Sequence, residues 1–465
     1  MSQLNILNFP FRAIKNRSIL IVLSGIVIGM LLLKSWVLGV GLLGLAVVVC
    51  LAMRSALVVW ILLMFNMLFI SNYTYPPVST ILFWGLTGIF ILSVFWYRFY
   101  LGKDIVWGDS YFWMALISWY IWGIVTALLS PDLTLSIKEM LRYGIMIGIL
   151  FAYIQWFADK MSLRLVLRGL WVSLCLYALL ITAKNFFPGH RAGFLLGDHW
   201  HSQPESAGYF ATFIPLFLSL IKRMRGRIWK TGLWILVFFG VIVASSSTAA
   251  VIASIVGVMA LFAFALPKIS GRIAIFGLMA SIAIFILGSM YLKGFNEMLV
   301  YQMSGRERIW PAAVHATESH PLFGVGPGRW SQWFGTHYFA TDFIFDDFQG
   351  NTFMLNPATL DGQAHNLFLT KSAEMGIPSL ILLLAVFGFW FRKSFGVYCC
   401  LPDGWRRDLV RGCLATFVGL TFFCFFENGP IIGTAREGEI VFVTMILAMP
   451  FAVGSSYKKL WEVDV

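Results

Sequence analysis

Apolar runs separated by short polar or basic segments fill the chain from Ser18 to Pro450. The pattern predicts helical spans near 18–33, 36–53, 55–70, 80–97, 111–129, 140–157, 168–187, 206–221, 232–246, 247–266, 273–292, 377–392, 409–427 and 438–454, fourteen in all. Each approaches the ~20 residues that cross ~30 Å of hydrocarbon. Only Arg54 separates the second run from the third, and Ser245, Ser246 and Ser247 mark either a tight hairpin or a broken helix, so twelve spans is an alternative count. One long stretch breaks the pattern. Gly294–Gly376 is polar and punctuated by glycine, and a smaller polar stretch covers Pro188–Ser206.

The basic residues punctuate this pattern with a regular parity. Arg12, Lys15 and Arg17 precede the first run, which places the N-terminus in the cytoplasm if basic residues stay inside. Counting on, Arg98 and Lys103, then Lys160, Arg164 and Arg168, then Lys222, Arg223, Arg225, Arg227 and Lys230 fall in inner loops. So do Lys268, Arg272, Arg392, Lys393, Arg406, Arg407, Lys458 and Lys459. The outer loops are then 71–79, 130–139, 188–206, 294–376 and 428–439. Both termini are expected in the cytoplasm.

Composition agrees with a polytopic membrane protein. Of 465 residues 59% are hydrophobic and 12% charged, about half the charged fraction of a soluble domain. The net charge of +12 follows the loop parity instead of forming one basic face, so it excludes a nucleic-acid reading. The six cysteines lack the paired spacing of a zinc site. No metal and no cofactor is expected, nor a removable signal peptide.

Three units follow. Residues 1–292 form an N-terminal transmembrane bundle with the polar loop 188–206, residues 293–376 the large outer loop, and 377–465 the C-terminal transmembrane helices. In the large loop, Ile309, Trp310, Ala313 and Val314 have helical spacing, as do Leu367, Leu369 and Thr370 leading into the next span. Phe339, Phe343, Phe345, Phe348 and Phe353 read as an apolar flap. The glycines of GVGPG lack the preceding strand of a phosphate-cradling loop.

All seven histidines, His190, His199, His201, His315, His320, His337 and His365, fall in the two polar loops. Arg191, Arg306 and Arg308 stand at loop edges, where a guanidinium calls for an anion, either a phosphate or a carboxylate such as Glu307 or Glu318. His365, between Ala364 and Asn366 at the start of a span, could take a proton from a hydroxyl, orient it, or simply be solvated. Asn366 either fixes that turn or caps the helix. His315 and Arg436 are further binding candidates. Arg436, beside Glu427, Glu437 and Glu439, reads first as structural.

The order GRERIW, HPLFGVGPGRW, AHNLFL and AEMGIPSLILLL resembles the signature region of the O-antigen ligase and polymerase family, which includes exopolysaccharide polymerases. RAGFLLGDHWHSQPESAGYF resembles the family's upstream arginine loop. The resemblance implies an all-α, GT-C-like membrane protein and a metal-independent, inverting glycosyltransferase acting at the periplasmic face of the bacterial inner membrane. The implied donor is a glycan on undecaprenyl diphosphate, and the acceptor is a second lipid-linked repeat unit (polymerase) or lipid A-core (ligase). Arg191 and Arg306 would bind the diphosphate, with Arg308 as an alternative, and His365 would serve the acceptor hydroxyl. Membrane lipids and a chain-length regulator are the expected partners. Two motifs depart from the family pattern: Ser-Arg-Gly is replaced by Ser245-Ser246-Ser247-Thr248, and the Pro-Asn pair by Gln203, Pro204 and Glu205. A polymerase is favoured over a ligase. A transporter or flippase, which would need ionisable residues deep in several spans, ranks lower because the expected spans carry almost none.

Overall fold

A computed structural model of the chain describes residues 76–100, 102–158, 203–221, 228–244, 248–266, 306–338, 344–346, 352–354, 364–426 and 437–461, with scattered positions in 57–61 and 163–178. In chain order the elements are α1 (Pro76–Tyr100), α2 (Ser110–Leu128), α3 (Leu133–Phe157), α4 (Gln203–Leu220), α5 (Ile228–Ala244) and α6 (Thr248–Ala265). Then come α7 (Arg306–Ser319), α8 (Trp330–Tyr338), β1 (Ile344–Asp346), β2 (Thr352–Met354), α9 (Leu367–Cys400), α10 (Trp405–Phe423) and α11 (Glu437–Trp461). The protein is an all-α membrane protein with one small antiparallel hairpin, β1–β2, that pairs Phe345 with Phe353.

Three helices, Ser110–Leu128, Leu133–Phe157 and Leu367–Cys400, are long and apolar enough to cross a membrane, and 83–99, 231–240, 249–265 and 443–456 are shorter apolar helices. The spans expected near 18–33, 36–53 and 273–292 lie outside the described residues. One loop needs correction. The outer loop expected at 130–139 ends at Asp132, whose carboxylate accepts the Leu135 amide at 3.0 Å and caps α3, so Lys138 and Glu139 are helical. The apolar periodicity understated this helix because its first turns carry Ser136, Lys138 and Glu139.

Packing groups the helices around α10. It contacts α4, α6, α9 and α11, while α2 lies on α9 and α3, and α11 on α3. At the α6–α10 crossing a Cβ on Gly419 would stand 2.6 Å from the Ala253 carbonyl oxygen and 3.3 Å from Gly257 Cα, so only glycine permits that approach. Trp390 fills the centre, with its ring centroid 4.2 Å from Phe417 and its indole N–H donated to the Leu447 carbonyl at 2.9 Å. Leu92, Met114, Leu236 and Phe262 remain exposed on the outer surface, as lipid-facing side chains would.

The two ends differ in chemistry. At one, Arg98 donates to the Gln155 carbonyl at 2.6 Å, Lys393 pairs with Asp109 at 3.7 Å, and the Tyr398 hydroxyl donates to the Phe264 carbonyl at 2.7 Å. These contacts gather the C-termini of α1, α3, α6 and α9. At the other end the Ser136 hydroxyl donates to the Pro327 carbonyl at 3.0 Å and the Leu367 amide to the Cys424 carbonyl at 2.9 Å. The histidine-bearing segments 320–337 and 364–366 lie there.

Candidate functional site

His365 stands at a junction of three helices. Among the described residues it is the one non-glycine with a positive φ, 47°, a left-handed conformation that costs an L-residue roughly 1–2 kcal/mol. Its neighbours hold it there. The Trp310 indole N–H donates to the Ala364 carbonyl at 3.1 Å, and the Ala364 amide donates to the Thr370 hydroxyl at 3.3 Å. Asn366 accepts the Leu369 amide at 3.1 Å as the N-cap of α9 and donates its side-chain amide to the Phe425 carbonyl at 3.1 Å. The capping role expected of Asn366 is thus realised, and its side chain also ties α9 to the end of α10. Asn366 is buried and His365 half-buried.

Helix α7 is brought to this turn through Trp310. Arg306 opens α7 one helical turn before Trp310, and Arg308 lies between them; the side chains of both arginines lie outside the described residues, as do Arg191 and Arg436 altogether. Ile309, Ala312, Ala313 and Ala316 form a small core with Ala364, Ala373, Val325, Trp330, Trp333 and Phe334. The alanines let α7 lie close along α9, and Thr317 donates to Ser372 at 3.1 Å. His315 is exposed, with its ring 6.0 Å from Trp333, so it belongs with α8. It stands about 140° round α7 from Trp310, given ~100° per residue.

The segment 320–329 is spliced into α9. At Gly376 (φ 77°) the helix is broken and Pro378 follows, so the Ala373 and Glu374 carbonyls lose their helical donors. Val325 and Gly326 supply amides to these two carbonyls, both at 2.9 Å, and the Ile377 amide donates to the Pro321 carbonyl at 2.8 Å. The indole of Trp122 donates to the Met375 carbonyl at 2.9 Å and its ring stacks on Phe323. A Cβ at Gly324 would lie 2.3 Å from the Glu374 carbonyl carbon, and one at Gly376 2.1 Å from the Leu322 carbonyl oxygen. Within GVGPG the Val325 and Gly326 amides therefore serve the helix break, while the Gly324 amide donates to the His320 carbonyl at 2.9 Å and the Gly328 amide bonds the Glu374 carboxylate.

Beneath this splice lies a charged cluster that the hydropathy pattern missed. Lys371 and Glu374 form an ion pair at 2.7 Å with both side chains fully buried, and Lys371 also donates to the Tyr143 hydroxyl. Glu139, 4% exposed, pairs with Arg142 at 3.1 Å, and a Cβ at Gly328 would stand 3.3 Å from its own Cβ. The signal was present in the sequence. Lys371 and Glu374 stand three apart before an apolar run, and ionisable residues in such a place mark function or a packed polar contact. Glu139, Lys371 and Glu374 stand just before the expected spans 140–157 and 377–392, in helices α3 and α9 that begin earlier than their apolar runs.

Residues 231–384 match the family model described as "O-Antigen ligase". The chain is also similar to the teichuronic acid biosynthesis protein TuaE of Bacillus subtilis (strain 168), with 24% identity over 335 residues, 64% of this chain and 64% of that protein. The chain thus spans about 64% of the length of that curated relative. GRERIW, HPLFGVGPGRW and AHNLFL all fall inside the matched region, so the family model agrees with the resemblance those motifs carry.

Proposed function

We propose that the protein is a membrane glycosyltransferase that joins glycan repeat units carried on undecaprenyl diphosphate, working at the outward, periplasmic face of a bacterial inner membrane with both termini in the cytoplasm. The observation that carries this reading is His365. It is held in a strained turn directly against the helix that Arg306 opens, within the matched family region. In this mechanism His365 takes the proton of the acceptor hydroxyl or orients it. The hydroxyl attacks the anomeric carbon from the side opposite the diphosphate, forming the new glycosidic bond as the C–O bond to the diphosphate breaks, with inversion. Arg306 and Arg191, with Arg308 as alternate, stabilise the leaving diphosphate. A diphosphate leaves readily, so positioning and charge stabilisation supply the rate without a metal. Arg98 and Lys393, which flank expected spans, lie at the end opposite His365 and support the orientation.

A second reading, transfer to lipid A-core, is favoured by the description of the matched family as a ligase. The test is purified protein with a lipid-linked repeat unit as donor, offered the same unit or lipid A-core as acceptor, with His365→Ala and Arg306→Ala. A ladder of longer lipid-linked glycans that both variants lose supports the polymerase. A lipid A-linked product moves the assignment to ligase. Movement of the donor across the bilayer with no product, indifferent to both variants, moves it to a flippase.

A further inference from the structure

We propose that a second, unassigned cleft, between α8 and the turn joining α2 to α3, binds an anionic segment of the glycan through Arg329. The proposal rests on the glycan-handling function proposed above and names a subsite for it. The cleft encloses about 980 Å³, within the ~300–1,000 Å³ usual for ligand clefts. Leu129 and Pro131 line one side, and His320, Arg329, Gln332, Trp333, Thr336 and His337 present its chemistry.

Charge selects the ligand class. Among the described residues no carboxylate lines the cleft. Arg329 donates from Nε to the Gln332 side-chain oxygen at 3.2 Å and from Nη1 to the Val325 carbonyl at 3.4 Å, both neutral acceptors. Its guanidinium is therefore oriented but not neutralised, as a receptor for a carboxylate or phosphate requires. The backbone beneath it is fixed, because the Arg329 amide donates to Gly326, whose own amide is tied to α9.

The remaining groups suit a polyol better than an acyl chain. His337 Nδ1 lies 2.9 Å from the Trp333 carbonyl and 3.0 Å from the Thr336 hydroxyl, which leaves Nε2 to meet a ligand hydroxyl as donor or acceptor. The imidazole stacks on Trp333 at 4.5 Å and 20°, and Trp333 stacks in turn on Trp330 at 5.8 Å, which makes a rigid ring surface. Ser331, Gln332 and Thr336 add hydroxyl and amide groups along the same wall. A carboxylate-bearing sugar meets all of these features. A phospholipid headgroup would satisfy only the arginine.

Full-length protein in zwitterionic nanodiscs, without donor, would be titrated calorimetrically with a galacturonate tetrasaccharide, its carboxyl-reduced counterpart, and phosphatidylglycerol vesicles. The charged tetrasaccharide should bind at least about tenfold more tightly than the reduced one. Arg329→Gln should remove that preference, Arg329→Lys should restore part of it, and Thr336→Ala, on the same wall but not bonded to Arg329, should weaken both sugars alike. Equal binding of charged and reduced sugar, a preference that survives Arg329→Gln, or no binding to the wild type would overturn the proposal. So would binding of the anionic vesicles in place of the sugar. Because no transfer takes place in this assay, failure of the transferase reading shows up separately, as a wild type that binds the tetrasaccharide yet forms no product from the lipid-linked donor.

Discussion

Lys371 Nζ lies 2.7 Å from the Glu374 carboxylate, with neither side chain exposed, one turn below the point where α9 breaks. Such a pair is costly to form and costlier to halve. Lys371→Met should destabilise the protein by about 3–5 kcal/mol, since Glu374 is then buried without its cation. Lys371→Met combined with Glu374→Leu should recover most of that loss. Thermal unfolding in detergent measures both, and a single variant as stable as wild type would refute the pair's structural role.

Gly324 and Gly376 face each other's strands of the splice. Gly376→Ala combines a positive φ with a Cβ 2.1 Å from a backbone oxygen that cannot rotate away. We expect a loss of stability of more than about 2 kcal/mol. Gly388→Ala, further along α9 with open space around its Cβ, should change little or stabilise slightly. The two variants compared by urea or thermal melts separate backbone geometry from helix propensity.

His365→Gly should act in opposite directions on stability and activity. Glycine relieves the left-handed strain, so the melting temperature should hold or rise, by up to roughly 1 kcal/mol in stability. Transfer should fall by about 10²-fold or more, the range for loss of a general base. A variant that keeps full transfer would remove His365 from the chemistry.

Trp310→Phe deletes the indole donor to the Ala364 carbonyl and leaves an aromatic ring in place. The stability cost should be only about 0.5–1.5 kcal/mol, while kcat drops more than KM rises if the bond positions His365 against α7. Asn366→Ala, which removes an N-cap, should cost about 0.5–2 kcal/mol by the same melts.

What the sequence revealed and what it hid share one cause. Hydropathy located α2, α6 and α10 to within a few residues because their ends lie near the ends of apolar runs, and it located the start of α11 but not its end at Trp461. It misplaced the start of α3, where Glu139 sits in helix yet reads as loop, and it set the apolar span of α9 at 377–392 although helical spacing already runs through Leu367, Leu369 and Thr370. Glu139, Lys371 and Glu374 each have an ionic partner three residues away, which a hydropathy window counts only as more polar residues, and Tyr143 adds to Lys371 from far along the chain. His365 and Asn366 were legible from type and position. That His365 adopts a left-handed turn was not, since it depends on Trp310, Phe425 and Cys424 closing round it. The role of GVGPG was likewise hidden, because its Val325 and Gly326 amides bond carbonyls of a helix 48 residues away, as from Val325 to Ala373.

The splice at Gly376 also limits how the His365 end of the bundle can move. Ala373, Glu374 and Ile377 exchange their backbone hydrogen bonds with Pro321, Val325 and Gly326, so lifting this segment would strand polar groups of both partners at the rim of the hydrocarbon. Residues 321–326 therefore cannot serve as a gate that swings for each turnover. They form a fixed sill on α9, about two helical turns beyond the His365 turn.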